Sequence, residues 1–168
     1  SVWVEKVRHQ RRSDIIAPQV KIAANYTSPM MAKWEARKQG YDEIILTDED
    51  GYVTEAPTSN VFIVNAKGIL MTAHEDYVLH GITRMSILEI TQDEGIETEV
   101  GRVPLKDLEE AREVFVTSSS HLVCPVIKID GNLVGDGKIG KVTELLKTRF
   151  QEVIGGRDNK FQNWLYKI

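Results

Sequence analysis

Val61-Phe62-Ile63-Val64-Asn65-Ala66-Lys67-Gly68-Ile69-Leu70-Met71-Thr72 is two apolar runs of strand length on either side of a turn-forming Lys67-Gly68, and it reads as a hairpin. Soon after it, Gly81-Ile82-Thr83 opens a helix. Met85 and Leu88 stand at helical spacing, Ile87 and Ile90 widen the apolar face, and Gly95 closes the element. Strands and helices are therefore interleaved in one chain. Ile96, Thr98 and Val100 alternate with Glu97 and Glu99 as a further strand, and a short helix follows at Leu105–Ala111. Val114–Val116 and Leu122–Ile129 read as strands, and Asp130-Gly131-Asn132 as a turn. Ile139, Val142, Leu145, Leu146, Phe150 and Val153 give a last helix its apolar face before Gly155-Gly156.

Upstream of the hairpin, Val2, Val4 and Val7 mark a strand, and Ile15-Ile16-Ala17 leads into a second extended stretch that contains Lys21. Ser28-Pro29 supplies an N-cap and a proline at the first helical position. Met30 and Trp34 then fall one turn apart, and Gly40 ends the helix. Glu43–Thr47 and Tyr52–Thr54 form a pair of strands joined through Asp50-Gly51.

The chain has 168 residues, 42% hydrophobic and 27% charged, which is ordinary globular composition with enough length for one substantial core. The net charge of −4 argues against general binding to nucleic acid, and the basic Lys6, Arg8, Arg11 and Arg12 read as a solvated face. No apolar run approaches a membrane span. The single cysteine, Cys124, allows no disulfide within the chain and favours a cytoplasmic address. His9, His74, His80 and His121 lack metal-ligand spacing, so no metal site is expected.

Gly135-Asp136-Gly137-Lys138-Ile139-Gly140-Lys141-Val142 fits the letters of two nucleotide motifs. Its context fails both. Val142 stands where a phosphate loop needs a magnesium-binding hydroxyl, and no strand with an acidic residue follows for a dinucleotide fold. Ser118-Ser119-Ser120-His121 lacks the glycine elbow of a hydrolase nucleophile. Lys21 is more informative. Among Val20, Ile22, Ala23 and Ala24 it must either reach solvent or lose its charge, and a desolvated lysine is a Schiff-base nucleophile. The local pattern alone favours the outward orientation. Gly81–Thr83 and Thr117–Ser120 together offer the amides and hydroxyls that an anionic group needs.

Taken in order, Lys21-x-x-x-Asn25-Tyr26, Glu55 with Asn60-x-Phe62, Leu79-x-Gly81-Ile82-Thr83-Arg84 and Thr117-Ser118-Ser119 resemble the class IV pyridoxal-phosphate aminotransferases. That family includes branched-chain and D-amino-acid aminotransferases and aminodeoxychorismate lyase. The resemblance runs from about Ile16 to Val153 and implies a mixed α/β pseudo-barrel with peripheral helices. It implies a cofactor-binding C-terminal domain over 1–156 and a polar tail over 157–168, with the family's N-terminal domain absent from this stretch.

The same resemblance implies pyridoxal 5′-phosphate as cofactor. Lys21 would be the catalytic residue, attaching the cofactor and then moving the substrate proton. Tyr26 would lie near the ring oxygen, Glu55 at the pyridine nitrogen and Leu79 on the ring face. Ile82, Thr83 and Ser119 would bind the phosphate, and Ser120 the substrate carboxylate. The implied reaction passes an amino group between an amino acid and a 2-oxo acid in a homodimeric parent, without nucleic acid or membrane. Two alternatives stay open, a lyase-type elimination and a catalytically silent binding domain. Ala56-Pro57 and Cys124 depart from residues common in the family, so the substrate pocket is not read by analogy.

Overall fold

Strand β5 (Ser59–Val64) is buried along its whole length, and its two faces belong to different cores. Val61 and Ile63 turn one way, Phe62 and Val64 the other. A strand covered on both sides reads as an unbroken apolar run rather than an alternation, which is why this segment stands out in the sequence. The computed structural model describes residues 1–6 and 16–166 and places the other elements around it.

Beside β5 lie β6 (Leu70–Ala73), joined by the expected hairpin, and β9 (Glu113–Ser118), both antiparallel to it. β10 (Leu122–Val126) extends the sheet beyond β9, and β7 (Thr98–Gly101) runs parallel beyond β6. The two-residue β4 (Glu55–Ala56) pairs with the start of β5. A second sheet has the order β12 (Asn132–Leu133), β11 (Lys128–Ile129), β1 (Val2–Glu5), β2 (Glu43–Leu46), with β1 parallel to both its neighbours. β3 (Tyr52–Val53) pairs with β8 (Val103–Pro104).

Val2, Val4, Ile45, Val53, Val103 and Ile129 from these smaller sheets join Val61, Ile63, Val114 and Val116 in one core. The result is the mixed α/β pseudo-barrel. Helices α2 (Ile82–Asp93) and α4 (Lys141–Ile154) cover the outer face of the large sheet, packing Ile87, Ile90, Leu146 and Phe150 on Phe62 and Phe115. Those two rings stack with centroids 5.0 Å apart. Helix α1 (Ala24–Lys38) lays Ala32 and Ala36 over Ile44 and Leu46 and pins itself to β2 through a 2.6 Å Lys33–Glu43 ion pair. The short α3 (Leu105–Glu109) falls where expected. Among the described residues no helix is long and apolar enough to cross a membrane.

Several expectations are corrected. Residues 16–23 form no strand; they make a chain of turns, with Val20 N–H on the Ala17 carbonyl and Ile22 N–H on the Val20 carbonyl. Helix α1 accordingly begins at Ala24, and Pro29 lies inside it, not at its first position. The apolar run Leu122–Ile129 splits, because the chain leaves the large sheet after Val126 and enters the second at Lys128. Asp50-Gly51 does make its turn, with Gly51 at φ +83°, but β3 then ladders with β8 and keeps only a Thr47–Val53 bridge to the preceding strand. Val100 is 42% exposed, so the alternation at 96–100 does not bury one clean face. Val7, Arg8, His9, Arg11, Arg12 and Ile15 lie outside the described residues, and Lys6 is exposed. In the tail, Phe161 is buried and packs into the core beneath α2 and α4.

Candidate active site

Register builds the site. Glu55 pairs with Asn60 across β4 and β5, and Asn60 pairs with Thr117 across β5 and β9, so the three stand on one rung. Side chains alternate along a strand, and Asn60 shares the face of Phe62 and Val64, the face that the helices cover. At this rung the helical layer has ended, and the face opens into a cleft of about 290 Å³. Its wall takes Lys21 from the turn before α1 and Tyr26 from the start of that helix, Glu55 and Asn60 from the rung, Leu79 to Thr83 from the entry to α2, and Thr117 to Ser119 from the end of β9.

Lys21 stands in the turn before α1 and is exposed, as its local pattern favours, so the desolvated lysine is not what this chain shows. It nonetheless lines the same cleft as Glu55, Thr83 and Ser119. Asn25, one helical turn on and buried, holds that turn: its amide donates to the Ala17 carbonyl at 3.2 Å and the Val20 carbonyl at 2.8 Å. Glu55 is 2% exposed and its Oε2 accepts from the Leu79 N–H at 3.1 Å and the Asn60 amide at 3.2 Å. Arg84, one helical position beyond Thr83, donates to the Ala73 carbonyl at 2.8 Å. Burial pulls its guanidinium below the ordinary value, and Glu75 and Glu55 pull it back.

The two long helices behind the large sheet start differently. Gly81 precedes α2 without any side-chain cap, so the first amides of that helix, at Ile82 and Thr83, face the cleft with the positive end of the helix dipole. Helix α4 is plugged. Glu113 on β9 accepts the Val142 and Thr143 N–H groups at 3.1 and 2.7 Å and the Thr143 hydroxyl at 2.8 Å. A Cβ at Gly140 would overlap Glu113, so this glycine makes room for a carboxylate belonging to the protein. That is the physical reason the Gly135–Val142 stretch is no nucleotide loop.

Of the eight candidate residues, Lys21, Tyr26, Glu55, Leu79, Ile82, Thr83 and Ser119 line the cleft. Ser120 does not: it is exposed, and its hydroxyl pairs with His121 Nδ1 at 3.0 Å and Ser118 Oγ at 3.2 Å. The sequence pattern contains Asn25, Asn60 and Arg84 but gives them no work, and it gives Thr117 only a share in a run of hydroxyls. Their signal is present, since Asn60 and Thr117 are polar residues closing or opening apolar strands. Thr117 Oγ1 is buried in the cleft wall with no hydrogen-bond partner among the described residues. Among those residues no group of three or more His, Cys, Asp and Glu is placed to hold a metal ion.

Residues 3–129 match the family model described as Amino-transferase class IV. A probable branched-chain-amino-acid aminotransferase of Aquifex aeolicus is 35% identical over 167 residues, which are 97% of this chain and 53% of that protein. A branched-chain-amino-acid aminotransferase-like protein of Arabidopsis thaliana is 37% identical over 129 residues, 77% of this chain and 23% of that protein. The crystal structure of the Escherichia coli branched-chain amino acid aminotransferase superposes with a TM-score of 0.92 at 30% identity, covering 98% of this chain and 54% of that one. The branched-chain amino acid aminotransferase of Thermobaculum terrenum, crystallised in its pyridoxal-phosphate form, superposes with a TM-score of 0.90 at 29% identity, covering 98% of this chain and 54% of that one. The chain thus spans about half the length of the bacterial proteins and less of the longer plant one. With the matched segment and the fold in agreement, the chain belongs to the class IV aminotransferases, a family of pyridoxal-phosphate enzymes.

Proposed function

We propose that this chain holds pyridoxal 5′-phosphate in the cleft and serves an enzyme that passes an amino group between an amino acid and a 2-oxo acid. The observation that carries this is the convergence in one cleft of an amine from the turn before α1, an acid from the rung and an uncapped set of amides from the entry to α2. The residues fit the group. The amides of Ile82 and Thr83, with the Thr83 and Ser119 hydroxyls, suit a phosphate. The buried Thr117 hydroxyl, without a partner among the described residues, supports a ligand in the same wall. When bound, the cofactor supplies an aldehyde that carries the amino group and a ring that takes up the electron pair left at the substrate carbon.

Lys21 Nζ would hold the cofactor by its aldehyde carbon and would serve as the base that moves the proton at the substrate carbon. Its exposure keeps it accessible to both. Glu55 presents a carboxylate to the pyridine nitrogen, favouring the protonated ring. Tyr26 serves the ring oxygen and Leu79 the ring face, and Ser120, next in the chain to the cleft-lining Ser119, is assigned the substrate carboxylate. The named relatives make a branched-chain amino acid and its 2-oxo counterpart the first substrates to assay. A homodimer in the reducing cytoplasm is the working form we assign. The exposed Met30, Met31 and Trp34 on α1 and the lone Cys124 support it.

The test is retention of cofactor. Incubation with pyridoxal phosphate, borohydride reduction and peptide mapping should place one adduct at Lys21, and Lys21→Ala should carry none. Label spread over surface lysines, or equal label in the variant, would remove the basis for the proposal.

A further inference from the structure

We propose that Asn60 is the positioning residue of the cleft, an amide that locks Glu55 and Leu79 to one another so that acid and ring-packing side chain meet a ligand as a preset unit. Its Nδ2 donates to Glu55 Oε2 at 3.2 Å and to the Leu79 carbonyl at 2.9 Å, while the Leu79 N–H donates to the same Glu55 oxygen at 3.1 Å. These three bonds close a ring. It spans β4, β5 and the loop before α2, segments brought together only by the fold. Asn60 is 5% exposed, so no water competes freely for its amide.

The other end of the side chain matters as much. A Cβ at Gly81 would overlap Asn60 Oδ1, so the residue that opens α2 lies directly against this amide. One side chain therefore sets the acid, the ring-packing residue and the helix entry whose amides face the cleft. Two donors on one carboxylate oxygen favour the ionised acid in a site where burial opposes it. Among the described residues, the other charged or titratable groups near Glu55 include Lys21, Tyr26 and His80 on the cleft wall and the buried Arg84 from α2. None of these is on the ring of three bonds. An asparagine needed only for packing would lower stability when altered and leave Glu55 as it was.

The experiment follows the Glu55 carboxyl by carbon-13 NMR against pH in the cofactor-free chain, so it does not depend on the proposed function. Asn60→Ala should raise the Glu55 titration midpoint by about one to two pH units, the equivalent of one lost charge-assisted hydrogen bond. Asn60→Asp keeps the shape but offers an acceptor beside the acid, and should raise it at least as far. Gly81→Ala, which displaces the amide without removing it, should move it the same way by less and stands in if the Asn60 variants fail to fold. A second arm, resting on the proposed function, titrates each protein with pyridoxal phosphate. The variants should bind about tenfold more weakly or worse, with an altered pH dependence of the bound-cofactor spectrum. Overlaying Glu55 titrations in wild type and variants overturn the positioning role, whatever happens to stability. A shifted Glu55 in a wild-type chain that takes up no cofactor supports positioning and sinks the proposed function alone.

Discussion

Asn25 holds Lys21 where it stands, because a turn between two carbonyls has no ladder to keep it in place. Replacing Asn25 by alanine removes two part-buried hydrogen bonds, and the free energy of unfolding should fall by about 1–2 kcal/mol, read as a lower urea midpoint at unchanged m-value. The local sequence around Lys21 misleads because Val20 and Ile22 are 44% and 40% exposed. Apolar neighbours suggest a strand, yet among the described residues these two are left partly exposed. Glu55 is likewise ambiguous from its neighbours, and the pairing with Asn60 and the Leu79 amide, 24 residues away, is invisible in the local sequence. The side chains of the cleft are legible as an ordered pattern; the bonds that orient them are not, since they cross the chain.

Glu113 acts at the scale of an element. It caps α4 from a strand 29 residues upstream, and Glu113→Ala should cost about 1–2 kcal/mol by leaving two part-buried N–H groups to find water, with thermal denaturation as the measure. Gly140→Ala should act through the same contact, by pushing the carboxylate off the helix end. Hydrophobic spacing locates α2 and α4 within a few residues, because each has one apolar face on the large sheet. It does not locate the sheet change near Ile127, since two strands in line look the same in sequence as one long strand. It also misses the start of α1, where the Asn25 contacts with Ala17 and Val20 outweigh the preference of proline for a first turn.

Over the whole molecule, three apolar layers account for most of the packing, and one cationic hub joins its last segments. Arg149 on α4 pairs with Asp93 and Glu94 at the end of α2, with Glu152, and with the buried Asp158 of the tail, while Lys160 pairs with Asp93. The Lys160 hydrogen bond, then the charges of Lys160 and Arg149, hold the Asp93 carboxyl below its ordinary value against some desolvation. A carboxyl depressed in the folded state stabilises fully above the ordinary aspartate range and loses that contribution as pH falls through the range toward the lowered value. Urea midpoints should therefore drop on acidification across that window. Lys160→Ala should flatten that drop, and added salt should shrink the difference because the pair is surface-borne.

The rung shared by Glu55, Asn60 and Thr117 makes the parity of residue counts, rather than length, the quantity this site guards. One extra residue within β5 would send Asn60 into the barrel interior and bring an apolar neighbour to the cleft. Lengthening the bend at Pro57-Thr58 would leave both partners where they are. The chain is thus free to grow at its corners and bound to keep step along its ladders.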